Sequence, residues 1–135
     1  AGEVAAEAAR GPGGMAEHLD RVPALLVVVA DLRGLAAVDR DLDRYTLVGG
    51  ASVYPFAWSV LLAARQAGLG GVMTTMLVQR EDEVRRLLGV PDHYVLAAAI
   101  ALGHPVQQPK KLSRRPVDSF VTVDLLDGPS LGGEA

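Results

Sequence analysis

The sequence has no cysteine, few aromatic residues and no long apolar run, and each shortage narrows the possible classes of protein. Without cysteine, the 135-residue chain has no disulfide framework, no thiolate nucleophile and no cysteine-ligated metal. Its longest apolar stretches, residues 53–64 and 95–102, are shorter than the roughly 18 to 20 residues that cross a bilayer. No signal peptide is recognisable. We therefore expect a soluble, cytoplasmic protein without a membrane partner.

A basic surface is also missing. The formal net charge is -3 and the isoelectric point is about 5.5, whereas a nucleic-acid-binding domain usually carries a positive field. Nucleic acid is therefore not an expected partner. A chain of this length predicts one domain, residues 1–135. Because aromatic residues make up only 4% of the chain, most packing must come from small aliphatic side chains.

Apolar runs alternate with helical patterns along this domain. Residues 24–30 form a continuous run rich in β-branched residues, which predicts a central strand covered on both faces. Residues 71–76 and 94–102 predict two further strands. Residues 81–88 predict a surface helix, with acidic residues first and basic residues last, as the helix dipole favours. Short helices at 3–10 and 15–21 complete an α+β pattern, joined by a Gly-Pro-Gly-Gly loop.

The segment between Ser52 and Gly68 is the most informative one. Ser52 is a plausible N-terminal cap and Gly68 a natural C-terminal stop, so a helix of about four turns is predicted. Its residues are apolar on every side until Arg65 and Gln66. A helix of this kind must be covered all round, which predicts that a second subunit covers one side. The alternative is that the helix is the core of a monomer.

The C-terminal region, residues 103–135, is interpreted as an arm, a strand and a tail. Residues 103–116 contain three prolines and several polar residues, which predicts an extended arm. Residues 117–124 alternate between apolar and polar side chains and predict a strand. The Gly-rich tail from residue 127 is expected to be mobile.

Several familiar catalytic and metal patterns are incomplete in this chain. Asp39, Asp41 and Asp43 alternate as in a calcium loop, but Arg44 and Gly50 stand where an EF-hand needs glycine and glutamate. The histidines have no metal-ligand spacing and are expected to be structural or at the surface: His18, His93 and His104. We therefore predict no metal site, and residues 31–50 are expected to be a solvated loop or helix face.

Glycine-containing motifs are incomplete as well. The Gly50-Ala51-Ser52 sequence lacks the second glycine of a serine nucleophile elbow. The glycines of residues 68–71 follow a helix and precede a strand, whereas a dinucleotide fingerprint follows a strand. Ser52 in the first motif is sufficiently explained as a helix cap, and residues 68–71 as a tight turn.

Two features do favour a flat, anionic ligand. Lys111, Arg114 and Arg115, together with Lys110, cluster in the arm and could hold a phosphate, although a solvated basic patch explains them as well. Thr74, Thr75 and Met76 stand where a strand leaves the core and offer hydroxyls and backbone amides. An ordinary strand end is the alternative there.

The order of these segments resembles the nitroreductase family. The resemblance spans roughly residues 23–124 and rests on GASVYPFAWSVLLAARQAGLGGVMTT (residues 50–75), ExxxxxLLGVPD (81–92), ALGHP (101–105) and KxxRRP (111–116). It implies an α+β fold with a mixed or antiparallel sheet flanked by helices. It also implies a homodimer built around the central apolar helix, and a C-terminal strand that joins the partner's sheet.

The same resemblance implies flavin mononucleotide (FMN) as cofactor and NAD(P)H as co-substrate. The amides of Thr74, Thr75 and Met76 would face the N5 and O4 edge of the flavin. Lys111 and Arg114, with Arg115 as the third candidate, would hold its phosphate. No side chain is required as a general acid or base, because the cofactor carries the chemistry. The implied activity is hydride transfer from NAD(P)H through FMN to a nitroaromatic, quinone or similar planar acceptor.

The chain departs from the family pattern in two places. Trp58-Ser59 stands where the family commonly has Gln-Asn, a change expected to alter the acceptor pocket. The family's Arg-rich N-terminal segment has no counterpart, because residues 1–22 are too short and too acidic to replace it. Two other hypotheses follow: a truncated dimeric module without catalytic activity, and a flavin enzyme that cleaves flavin or removes halogen.

Overall fold

The computed structural model describes residues 19–107 and 111–132. It contains five main elements, which are β1 (Ala24–Asp31), α1 (Val53–Gln66), β2 (Gly70–Thr74), α2 (Glu81–Leu88) and β3 (Tyr94–Gly103). Short 3-10 helices occupy Val48–Gly50, Met76–Arg80 and Val117–Ser119. The predicted α+β class is confirmed. The predicted helix at 3–10, its following loop and most of the helix at 15–21 lie outside the described residues.

The three strands form one antiparallel sheet in the order β1-β3-β2. All residues from Leu96 to Ala101 on β3 are buried, so β3 is the centre of the core. The prediction that β1 is central was wrong for this sheet, since β1 is an edge strand on which Leu25, Leu26 and Val29 are 39–42% exposed. An apolar run indicates faces that can be covered, but it does not indicate which strand pairs on both sides.

An irregularity in β3 connects the sheet to both helices. The register passes from Val28 opposite Ala98 to Val29 opposite Leu96, which leaves Ala97 as the extra residue of a β-bulge. The hydroxyl of Tyr54 on α1 donates to the Ala97 carbonyl at 3.4 Å. The backbone amide of Leu96 donates to Glu81 Oε1 at 2.7 Å. The bulge thus anchors the first turns of α1 and α2.

Helix α1 lies close against β2 and β3 because small residues line the contact. Ala57 and Ala64 are the buried residues of the helix. A side chain at Gly71 would place its Cβ 2.7 Å from Leu61 Cδ2, so glycine permits this approach. The predicted stop at Gly68 is confirmed, with φ of 79° and a bond from the Leu69 amide to the Ala64 carbonyl at 2.9 Å.

Ser52 does precede α1, but the prediction that its side chain caps the helix was wrong. Ser52 has helical dihedral angles, φ -92° and ψ -31°, and its side chain makes no capping hydrogen bond. The chain enters α1 directly from the 3-10 helix Val48–Gly50 and a turn at residues 51–52. A helical backbone at this position does not direct the hydroxyl at the first free amides as an extended cap residue does.

The C-terminal segment also differs from its prediction. Residues 117–124 do not form a regular strand, since Val117–Ser119 is a 3-10 helix in which Ser119 Oγ donates to the Pro116 carbonyl at 2.7 Å. Only an isolated bridge joins Thr122 to Ser130. An alternating pattern becomes a strand only where a neighbouring strand supplies hydrogen-bond partners, and none lies beside this segment in the part of the single chain that is described.

The tail has a defined local structure as far as Gly132. The Leu131 amide donates to the Val121 carbonyl and the Val123 amide to the Pro129 carbonyl, both at 2.9 Å. The tail therefore folds back on the preceding residues as a hydrogen-bonded turn. Residues 133–135 lie outside the described part.

Among the residues described, no helix has both the length and the apolar character needed to cross a membrane. The longest of them, α1, has 14 residues.

Candidate functional site

The Thr74–Thr75–Met76 segment forms a defined corner at the end of β2. Thr74 pairs with Ala99 as the last residue of the strand. The Met76 amide donates to Thr74 Oγ1 at 3.2 Å, and the Val78 amide donates to the Thr75 carbonyl at 3.1 Å. A threonine hydroxyl that accepts a backbone amide two residues later fixes a tight turn. Thr75 and Met76 are exposed at this corner.

The described basic residues of the arm, Lys111, Arg114 and Arg115, are exposed. Arg114 Nη1 donates to the Ser113 carbonyl at 2.9 Å, and the Arg115 guanidinium lies 5.5 Å from the centre of the Phe120 ring. Within residues 19–107 and 111–132, Lys111, Arg114 and Arg115 take part in none of the ion pairs. Their charges are therefore not neutralised by the carboxylates described. Lys110 lies outside the described residues.

The single chain does not bring the corner and the arm together. Leu112, between Lys111 and Arg114, lines a groove with Gly70 and Gly71 at the start of β2. The Thr74 corner follows the other end of that strand, about 13 Å away at the usual rise of roughly 3.3 Å per strand residue.

The outer face of α1 is apolar and exposed. Phe56, Trp58 and Leu62 are 60%, 58% and 55% exposed in the single chain. Ser59 Oγ donates to the Pro55 carbonyl at 2.8 Å, so its hydroxyl is satisfied within the helix. The described chain by itself therefore leaves part of α1 uncovered.

Sequence reasoning missed a buried carboxylate at Asp39, which is only 2% exposed. Its Oδ2 accepts hydrogen bonds from the Leu47 amide at 2.8 Å, the Val48 amide at 3.2 Å and Arg44 Nη1 at 2.8 Å. These bonds, first that of the Leu47 amide and then that of Arg44, lower the pKa of Asp39 although burial opposes them. The prediction that the whole of residues 31–50 is solvated was therefore wrong.

No sequence signal singled out Asp39. It alternates with Asp41 and Asp43, and only the folded loop shows which carboxylate points inward. Among the described residues, no three His, Asp or Glu side chains come together as a metal site. His93 has a structural contact instead, because its carbonyl accepts the Leu32 amide at 2.9 Å and its ring centre lies 4.5 Å from that of Tyr94.

Comparison with known proteins identifies the class to which this fold belongs. The nitroreductase family model matches residues 3–104. The chain is therefore a member of the nitroreductase family. The matched region begins well before residue 23 and ends at the start of the arm.

Named relatives and solved structures support this assignment. The chain is 36% identical over 84 residues to an NADPH-flavin oxidoreductase of Vibrio harveyi, covering 62% of this chain and 35% of that protein. It is 33% identical over 108 residues to human iodotyrosine deiodinase 1, covering 78% of this chain and 36% of that protein. The crystal structure of the Vibrio harveyi NADPH:FMN oxidoreductase with NAD+ matches with a TM-score of 0.64 and 28% identity.

The chain corresponds to only part of these proteins. It spans 35–36% of the two curated relatives and 54% of the solved Vibrio harveyi chain, while 91% of this chain is covered in the structural match. The family and fold are thus shown. The residues that would hold a flavin remain predictions.

Proposed function

We propose that this chain is the subunit, or part of the subunit, of a cytoplasmic FMN-dependent oxidoreductase. In this proposal hydride passes from NAD(P)H through FMN to a nitroaromatic, quinone or similar planar acceptor. The observation that carries the proposal is membership of the nitroreductase family over residues 3–104. The names of the flavin oxidoreductases similar to the chain support flavin and NADPH, and the solved Vibrio harveyi relative is named as an NADPH:FMN oxidoreductase.

In the proposal, the backbone amides of Thr74, Thr75 and Met76 face the N5 and O4 edge of the ring. A fixed turn suits this role because its amides need not reorganise as negative charge develops. The Met76 amide already donates to Thr74 Oγ1 at 3.2 Å, so it must exchange or share that bond to serve a ligand. When bound, FMN would supply the hydride-transfer chemistry itself.

The basic arm is proposed to hold the phosphate. Lys111 and Arg114 are the preferred contacts and Arg115 is the third. Charge-assisted hydrogen bonds from such side chains to phosphate are among the stronger contacts in proteins. The absence of described carboxylate partners for these three residues supports the assignment.

A homodimer completes the proposed site. The exposed side of α1, with Phe56 at one edge and Trp58 and Leu62 at the other, leaves more large apolar surface in water than is usual for a helix of a monomeric protein. A second copy packed on this face would cover it and would bring another corner and another arm to the interface. The C-terminal segment would then find a strand partner in the second subunit.

The direct test compares FMN with riboflavin, which lacks the phosphate. The purified chain is titrated with each, and binding is followed by quenching of flavin fluorescence. The K111Q/R114Q/R115Q variant should weaken FMN binding at least tenfold and leave riboflavin binding unchanged. The matched control is R80Q/R86Q, which removes exposed arginines elsewhere.

Activity is then measured as NADPH oxidation with a quinone or a nitroaromatic acceptor. Equal affinity for FMN and riboflavin would contradict the phosphate assignment, and failure to bind either flavin would contradict the flavoenzyme proposal for this chain. Flavin uptake without turnover would favour the alternative, a dimeric nitroreductase-like module without catalytic activity.

A reductive dehalogenase is the other candidate. The 33% identity to iodotyrosine deiodinase 1 extends over 78% of this chain, more than the Vibrio harveyi match covers. Incubating the flavin-loaded protein with an iodinated phenol and a reductant, NADPH or dithionite, and measuring iodide release separates the two chemistries. Iodide release faster than nitro or quinone reduction would favour dehalogenation.

A further inference from the structure

A second concave region is lined by residues other than the proposed flavin residues. It is a groove of about 620 Å³ between residues 32–50, the start of α1 and the Val95–Ala97 end of β3. We call it the loop groove. None of Thr74, Thr75, Met76, Lys111, Arg114 and Arg115 lines it. Its volume falls in the range of about 300–1,000 Å³ typical of small-molecule sites.

One wall of the loop groove is held by the buried carboxylate of Asp39. Leu47, whose amide donates to Asp39 Oδ2 at 2.8 Å, lines the groove together with its neighbour Thr46. The Val48 amide and Arg44 donate to the same oxygen. A buried carboxylate with several donors fixes the loop, so the wall is formed before any ligand arrives.

The lining combines one cation with an apolar floor. Arg40 is the only charged side chain among the lining residues, and no carboxylate lines the groove. Thr46 supplies a hydroxyl, and the Tyr54 ring stands beside the apolar Leu96 and Ala97. Arg40 Nε lies 3.5 Å from Asp41 Oδ2, but these side chains are 75% and 89% exposed, so this pair is weak and easily exchanged.

We propose that the loop groove binds a small aromatic carboxylate. The carboxylate would pair with the Arg40 guanidinium and accept from the Thr46 hydroxyl, and the ring would lie against Tyr54, Leu96 and Ala97. A single cation, held only by a weak exposed pair with Asp41, beside an apolar lining selects a monoanion with an apolar body over a neutral or a cationic ligand. The proposal does not depend on flavin binding, because the two sets of residues are separate.

The test uses benzoate and its neutral analogue benzamide as probes of the full 135-residue chain. Binding is followed by amide chemical shifts in nuclear magnetic resonance spectra. Benzoate should shift the amides of Thr46, Gly49, Gly50 and Ala97, and leave those of Thr74 to Met76 in place. R40Q should weaken benzoate binding roughly tenfold or more and benzamide binding little.

Two control variants, R86Q and D43N, show whether an effect is specific to the loop groove. R86Q removes an arginine outside the groove and should leave benzoate affinity unchanged. D39N should weaken the binding of both benzoate and benzamide, because it loosens the groove wall that Asp39 holds. D43N should weaken the binding of neither. The proposal is overturned if benzoate fails to bind at millimolar concentration, if its shifts map to the apolar face of α1, or if R40Q and R86Q behave alike.

Discussion

Glu81 Oε1 lies 2.7 Å from the backbone nitrogen of Leu96, so the first residue of α2 satisfies a buried amide at the irregular point of β3. The contact joins residues 15 positions apart and fixes the segment that follows the Thr74 corner. Because Leu96 is only 5% exposed, water cannot readily replace the carboxylate.

Replacing Glu81 with alanine should therefore destabilise the protein. An unpaired buried amide costs about 1–3 kcal/mol, measured as the free energy of unfolding in urea. E83A is the matched control, since Glu83 pairs with Arg80 at a surface where side chains are 74% and 58% exposed. Such a pair contributes about 0–1 kcal/mol, and equal losses for the two variants would refute the role of Glu81.

The Asp39 carboxylate should order the loop that follows it. Asp39→Asn keeps one oxygen acceptor but loses the negative charge that faces Arg44 and adds a buried donor. Hydrogen exchange at the Leu47 and Val48 amides should accelerate, while Asp41→Asn, at an exposed carboxylate, should not change it. Unchanged exchange in Asp39→Asn would show that the loop is held by other contacts.

Asp31 should titrate in strong acid. Hydrogen bonds from the Arg33 side chain and then its backbone amide lower the pKa of Asp31 from 3.8 to about 2. Because the folded-state pKa is lowered, this carboxylate stabilises the fold fully above its ordinary pKa, and the contribution is lost as the pH falls from about 4 towards 2.

The carboxyl carbon signal of Asp31, followed by nuclear magnetic resonance, measures that pKa. Arg33→Gln should move it back towards 3.8, and Arg40→Gln should leave it in place. If the titration midpoint of Asp31 is unchanged in Arg33→Gln, the Arg33 guanidinium is not the cause of the lowered pKa.

Trp58, the only tryptophan, should report self-association. Its side chain is 58% exposed in the single chain, so packing α1 against a second copy would shift its emission to shorter wavelength as protein concentration rises. Leu62→Lys places a charge on the same face and should abolish both the shift and the dimer seen in sedimentation. Leu87→Lys, at an 84% exposed position of α2, should change neither.

The inner face of α1 should not accept a larger residue. Ala57 is fully buried, with 0% exposure, where the helix packs on the sheet. Ala57→Leu should reduce the free energy of unfolding by about 1–3 kcal/mol because the backbone contact must widen. Ala63→Leu, on the exposed face, should cost little, and similar losses for both would argue against close helix-sheet packing.

The sequence predicted the local elements well where one physical signal dominated. The bounds of α2 followed from its charge order, and its end at Gly89 was confirmed by the left-handed φ of 65°. The run at 94–102 became β3, and Gly68 ended α1. These features depend on neighbouring residues, so they are visible without a fold.

The candidate site was less accessible to sequence reasoning. The Thr74 corner was placed correctly at a strand end, but the Thr74 hydroxyl's bond to the Met76 amide depends on the turn itself. The position of the arm at the other end of β2 depends on how the chain returns after β3. Asp39 could not be separated from Asp41 and Asp43, because their spacing is the same whichever one is buried.

By itself, the sequence determined which segments are apolar, where glycine ends the helices, and the family to which the chain belongs, because each is carried by residue type and order. Only the tertiary structure decided that β3 rather than β1 is central, that Asp39 faces inward and that the single chain leaves the outer face of α1 uncovered. Strand order, burial of one carboxylate among three and an uncovered face arise from contacts between distant segments. Local composition does not specify those contacts.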